Sequence, residues 1–384
     1  MNNETKHYIY FLKSISIIAV ILIHIIAGVL YWQHGFSFQL LTFLRVVVGF
    51  AVPVFFMCSG AILLHRDIDS KAYIIKTLKI LFFVATLYEL YDIIVLNKTL
   101  KTAIYNLVMF KHHFHLYFLN VMILIYALMP ILRCFVVNAS RKLLEYALIF
   151  WCFTSVILPT LYQFYPFSEL TGTPEQIMLS VAYGRVGYFV LGYYLDKYKP
   201  IQKISYSVCM SIFAIVFATT GILLMSVSVK NFYFLDGMSV PIAIYATGVF
   251  TFGQNFKYSH LKVFQAISSL SFLVYLYHDF FNIIFRRTLP ETSAVKNLIS
   301  LFICVTISSF LLAYILKNMK TIISTIISFI KKILKKDKNN SRNNSNNDLN
   351  DNPNDVLNDN LNDNLNDNLD DNLNDNLDDN LNDD

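Results

Sequence analysis

Several residues capable of chemistry stand where such residues are costly, inside long apolar runs. Lys13 and His24 share the first run, Arg45 opens the second, and Glu89 sits with Asp92 in the third. His115 stands just before the fourth, Arg185 lies in the sixth, and His278 lies in the ninth beside Asp279. An ionisable group within a lipid-spanning segment is expensive and marks a functional position by default. Histidine can take or give a proton near neutral pH. Arginine can hold phosphate or steady an oxyanion. Each residue also has a plain structural reading. A lone intramembrane histidine can be a hydrogen-bonder, Arg45 or Arg185 can snorkel or pair with Glu89, and His112 and His113 read as loop residues. No GxSxG elbow, HExxH, P-loop or GxGxxG is present, so nucleotide hydrolysis, zinc chemistry and dinucleotide cofactors lack support, and neither a metal nor nucleic acid is expected.

The elements that must position these residues follow from composition. Of 384 residues, 55% are apolar and 15% charged, with mean hydropathy +0.50. A soluble chain would carry roughly 25% charge. A spanning helix needs about 20 mostly apolar residues. Ten runs qualify: 8–30, 40–64, 80–96, 116–137, 143–165, 177–195, 204–228, 239–256, 263–285 and 298–316. They are too long, and too little alternating, for barrel strands. The expected fold is an all-α polytopic membrane bundle over residues 1–338, followed by a tail over 339–384.

Charge sets the orientation. The net +5 divides into a body of +18 and a stretch, 343–384, that holds 13 Asp and no Lys or Arg. With ten spans and the N-terminus in the cytoplasm, 22 Lys and Arg face inward and 7 outward, the bias expected of cytoplasmic loops. Both termini are therefore expected in the cytoplasm. The first run has no small-residue cleavage site after it and reads as a retained anchor. In this topology His24, Arg45, Glu89, His115, Arg185 and His278 lie at similar depth in the outer half and outline a polar cavity. Lys13 precedes His24 by eleven residues, which returns to nearly the same helix face about 16 Å closer to the cytoplasm.

The five cysteines show no CxxC and no metal-ligand spacing, so they read as buried small hydrophobes. Residues 317–338 form a basic amphipathic stretch suited to an anionic leaflet, or a solvated helix extension. The tail repeats NDNL-type units, with Leu every fourth position from Leu357 to Leu381. Asn and Asp are poor helix formers, and one Leu in four buries too little surface to offset chain entropy, so disorder is expected.

Lys13 and His24; Pro53, Phe55, Phe56, Ser59 and Gly60; His115-Leu116-Tyr117-Phe118-Leu119; Gly187-Tyr188-Phe189 with Gly192-Tyr193-Tyr194-Leu195; and Tyr275-Leu276-Tyr277-His278 occur in this order on successive runs. In these motifs, over about residues 8–316, the chain resembles the acyltransferase 3 family of integral membrane acyltransferases, in the branch that modifies surface polysaccharides. Lys13 stands where that family usually has Arg, keeping the charge but not the planar fork. The resemblance implies a plasma-membrane O-acetyltransferase that takes an acyl group from cytoplasmic acyl-CoA, as donor substrate, to a hydroxyl of a surface glycan or lipid-linked sugar. It implies that His24 is the general base or helps relay the acyl group, and that Arg45 is the oxyanion support, with His115 and His278 orienting the acceptor or shuttling protons. Lys13 would meet CoA phosphates, and Arg185 and Glu89 would contact the acceptor. Ten spans around a polar cavity also fit an exporter of a glycan or small solute.

Overall fold

The computed structural model describes residues 7–171, 184–226, 230–256, 261–288 and 294–319. The repeat tail, most of the basic stretch 317–338 and the first part of the run 177–195 lie outside the described residues. Residues up to Lys317 form one compact unit.

The helices are α1 His7–Leu30, α2 Gly35–Val47, α3 Ala51–Leu63, α4 Ser70–Leu96, α5 Leu100–Val108 and α6 Tyr117–Asn138. Next come α7 Arg141–Cys152, α8 Leu158–Leu161, α9 Val186–Tyr198, α10 Ile204–Met225, α11 Val240–Asn255, α12 Leu261–Thr288 and α13 Ala294–Lys317. Among the described residues, eight helical segments are long and apolar enough to cross a membrane. Two of the ten expected spans are not among them. Every 18-residue stretch of α4 carries at least three charged residues, which lowers its hydropathy. Helix α9 has only 13 described residues.

α1 is the central helix. It packs against α2, α3, α11, α12 and α13, and Leu12, Ile17, Ile21, Ile25 and Ile26 are fully buried. Peripheral α10 exposes Ile212, Phe213, Val216, Phe217 and Leu224. In water such an apolar face would be a liability, but lipid is its natural solvent.

The second expected span differs from its sequence reading. It runs Gly35–Leu63 and is broken in the middle, between α2 and α3. Gly49 N–H turns back to Val46 O at 2.9 Å. Pro53 has no N–H to continue the ladder across the break. Arg45 therefore ends a half-helix inside the span instead of opening the span. A basic residue in the last turn of a helix is favoured by the helix dipole, and Arg45 is that residue here. Irregular backbone at such depth is tolerated only inside protein or along a cavity.

α3 crosses α9 closely enough that a Cβ on Gly60 would lie 1.8 Å from Phe189 O, and one on Gly192 would lie 2.0 Å from Met57 O. Small residues let membrane helices approach in this way, and here they hold α3, which carries much of the cavity wall, against α9.

Candidate active site

Three histidines from three distant segments meet beside α1. His24 comes from the C-terminal half of that helix, His115 from a 3-10 turn (Phe114–Leu116) that leads into α6, and His278 from α12. Their ring centroids are 5.0 Å apart for His24–His278, 5.5 Å for His115–His278 and 6.1 Å for His24–His115. His115 and His278 are buried.

Their hydrogen bonds set their chemistry. His278 Nδ1 lies 2.8 Å from Tyr275 O and 3.3 Å from Val274 O. Carbonyls only accept, so Nδ1 carries the proton, and Nε2 of the neutral ring is a buried lone pair with no partner. His115 Nδ1 lies 3.3 Å from Asp279 Oδ2. Asp279 is itself held by Asn282 Nδ2, which donates to Oδ1 at 2.9 Å. Tyr275 OH donates to His115 O and fixes the turn. Tyr88 packs on His115 at 5.0 Å, donates to Leu276 O at 3.1 Å and accepts from Phe280 N–H at 3.0 Å, tying α4 to α12. Two imidazolium rings 5.0 Å apart would repel by about 3 kcal/mol at an effective dielectric of about 20. One carboxylate can offset only one such charge, so the cluster suits a single mobile proton. Among the described residues no three His, Cys, Asp or Glu side chains are grouped to hold a metal ion.

Two cavities meet at this cluster. The larger, about 310 Å³, reaches from Lys13, Tyr73 and Lys76 to His24, His115 and Tyr275. Tyr126, Met122, Phe118 and Phe55 make most of the remaining wall apolar. The smaller, about 100 Å³, is lined by His24, Arg45, Arg185, Tyr188, Asp236 and their neighbours. His24, Val52 and Tyr117 line both. One histidine thus faces a chamber entered past lysines and a chamber lined by arginines.

Local structure explains how Arg185 is delivered. Gly184 has φ +135°, which favours glycine, and its carbonyl accepts Trp151 Nε1–H at 2.8 Å. That turn starts α9 and sets the Arg185 guanidinium over the Tyr117 ring at 5.0 Å and 3.8 Å from Asp236 Oδ2. Tyr188 OH donates to Gly237 O at 2.5 Å and closes the same wall.

The model of the acyltransferase 3 family, an acyltransferase domain, matches residues 6–318 of the 384. The chain belongs to this family. No curated protein and no solved structure matches it. This acyltransferase therefore has a membrane-type helical body whose histidine cluster and two cavities lie inside the matched region.

Of the residues singled out in the sequence, His24, His115, Lys13, Arg45 and Arg185 line the two cavities, and His278 lines neither but packs against His24 and His115. Glu89 lines neither. Its Oε2 lies 2.5 Å from Lys98 Nζ and its Oε1 accepts from Asn106 Nδ2 at 3.1 Å, in a cluster that also holds Asp92 and His113. Tyr88, Asp236 and Arg286 are not among the candidates from the sequence, and Tyr117 enters there only as one place of the His115–Leu119 motif. Arg286, read as an outer-loop residue, reaches inward, donates to Ile25 O at 2.6 Å and covers Gly28. Asp236 gave no signal, being one acid in a short connection.

Proposed function

We propose that this acyltransferase moves an acyl group, most simply acetyl, from cytoplasmic acyl-CoA to a hydroxyl of a surface glycan or lipid-linked sugar at the cell membrane. The observation that carries this reading is that His24 lines both cavities. The larger cavity is the donor chamber. Lys13 and Lys76 meet CoA phosphates, and the apolar wall takes the pantetheine arm and acyl group. Its volume, about 310 Å³, is at the small end of ligand pockets, so the nucleotide stays outside. The smaller cavity is the acceptor chamber.

The acceptor hydroxyl gives its proton to His24 as its oxygen bonds to the thioester carbonyl carbon. Arg45 steadies the negative charge on the carbonyl oxygen of the tetrahedral intermediate. The carbon–sulfur bond then breaks, and the leaving thiolate takes the proton back from His24. Asp279 orients His115, and His278, with its free Nε2, offers a second resting place for the proton. The positive-inside bias supports ten spans, with α4 and the run ending in α9 as the remaining two, and both termini in the cytoplasm. The basic stretch after α13 then meets anionic lipid of the inner leaflet.

A broken helix also occurs at the binding sites of transporters, so export of a glycan or small solute is the second reading. Purified protein given labelled acetyl-CoA separates them, because transfer consumes the thioester and export does not. His24→Ala is expected to lower transfer to acceptor glycan by about 10²–10⁴-fold at equal protein level. Unchanged transfer would remove His24 from the mechanism.

A further inference from the structure

We infer that the smaller cavity receives an anionic group of the acceptor, a carboxylate or a phosphate, next to the hydroxyl that is acylated. This rests on the acyl-transfer reading above and names the chemical class of its acceptor. The charged side chains lining the cavity are Arg45, Arg185 and Asp236, besides His24. Two fixed cations thus face one anion, and that anion is poorly placed to neutralise them. Asp236 Oδ2 is 3.8 Å from Arg185 Nη2, at the edge of ion pairing, while its Oδ1 accepts from Met238 N–H at 2.7 Å.

Arg45 is less satisfied still. Among the described residues no carboxylate lies within ion-pair distance of it, and its Nη1 is shut off from solvent without a hydrogen-bond partner. Arg286 and Arg133 also bury an unpartnered Nε, but each has an acceptor for another guanidinium nitrogen, Ile25 O and Asp67, and Arg141 pairs with Glu145. A guanidinium with an unspent donor in a closed site is costly, and its planar fork matches carboxylate and phosphate oxygens.

Size sharpens the inference. A volume of about 100 Å³ corresponds to about three waters. The edge of a sugar fits there, not a whole glycan. The hydroxyl facing His24 and the anionic group facing the arginines must therefore sit on neighbouring positions of one residue.

The test uses the purified full-length protein with labelled acetyl-CoA and three acceptors: octyl glucuronide, octyl glucoside 6-phosphate and neutral octyl glucoside. The expected result is a preference of roughly tenfold or more in kcat/KM for one charged acceptor over the neutral one. Which acceptor wins distinguishes carboxylate from phosphate. Arg185→Gln should erase that preference through KM, costing the charged acceptor at least tenfold more than the neutral one. Asp236→Asn, which removes the competing carboxylate, should increase it. Equal use of charged and neutral acceptors by the wild type, or equal loss on both in Arg185→Gln, overturns the inference while leaving acyl transfer intact. Absence of any acetyl-CoA turnover refutes the acyl-transfer reading instead. Thermal stabilisation by glucuronate or glucose 6-phosphate but not glucose, lost in Arg185→Gln, then still decides whether the anion site exists. No such difference overturns it.

Discussion

The crossing of α3 and α9 links packing to activity in a way that one atom can test. A Cβ on Gly60 would sit 1.8 Å from Phe189 O and 2.6 Å from its carbonyl carbon. Ordinary contact begins at 3.4 Å, so the helices would have to separate by about 1.5 Å. The obstacle is backbone, which cannot rotate away. Overpacking typically costs about 1–3 kcal/mol, and Gly60→Ala belongs at or above the top of that range. Gly192→Ala meets Met57 O at 2.0 Å and should behave alike. Gly253→Ala meets only the Leu12 side chain, at 2.8 Å from Cδ2, and should cost about 1 kcal/mol or less. Gly237→Ala, with Pro53 at 3.4 Å, should leave stability unchanged. Because α3 supplies Val52, Pro53, Phe55, Phe56 and Ser59 to the cavities, a displacement of this size should also lower transfer by about a hundredfold in whatever folded protein remains. Thermal unfolding in detergent, followed by tryptophan fluorescence, reads the first effect. Trp151 packs on Tyr188 of α9 at 5.0 Å, whereas Trp32 is 74% exposed. If Gly60→Ala and Gly192→Ala unfold no earlier than Gly253→Ala, the close crossing is refuted.

Two further outcomes concern Lys13, in the larger cavity, and Lys98, away from the site. Lys13→Met should raise KM for acetyl-CoA by about tenfold or more, and Lys13→Arg should restore or improve it, since the charge is kept and a fork gained; an unchanged KM in Lys13→Met removes Lys13 from donor binding. At the far end of α4, burial works against the charge of Lys98, but Glu89 and Asp92 outweigh it and hold the ammonium above its ordinary range. A group whose folded value is raised stabilises fully below its unfolded value and loses that contribution as pH rises through the folded one. Thermal stability should therefore fall at pH above the normal lysine range in the wild type and not in Lys98→Met, as pH-dependent melting will show.

Much of the site was legible because intramembrane charge is rare, so few residues competed for attention. His24, His115 and His278 stood out by type alone, and the helical period placed Lys13 on the stripe below His24. What periodicity does not encode is where a helix breaks. Gly49 and Pro53 were visible, yet a continuous apolar run gave no reason to place the break between them, so Arg45 was set at the mouth of a span instead of inside one. Glu89 was misleading for a related reason. Depth says which residues share a layer, not which way they point, and Lys98, just past the end of α4, was near enough to take it. Tyr88 could not be separated from the other 23 tyrosines without tertiary contacts, and the motif that contains Tyr117 does not show that it lines both cavities.

The proposed reaction also explains why this site uses histidines where a carboxylate base would serve in water. The acceptor hydroxyl loses a proton and the departing thiolate needs one, so the proton must be held for the life of the intermediate and then returned. A carboxylate base would be a charge in apolar surroundings before the reaction began, which is costly without a partner. A neutral imidazole carries no such cost at rest and becomes charged only as the oxyanion forms a few ångströms away, near Arg45. Asp279 lies against His115 and is held by Asn282, so it can balance a transient imidazolium without being the base. The cycle begins and ends with the same charge inside the bundle, and only the acyl group passes from one chamber to the other. A thioester on one side can in this way acylate a sugar on the other without an open path for CoA, water or ions.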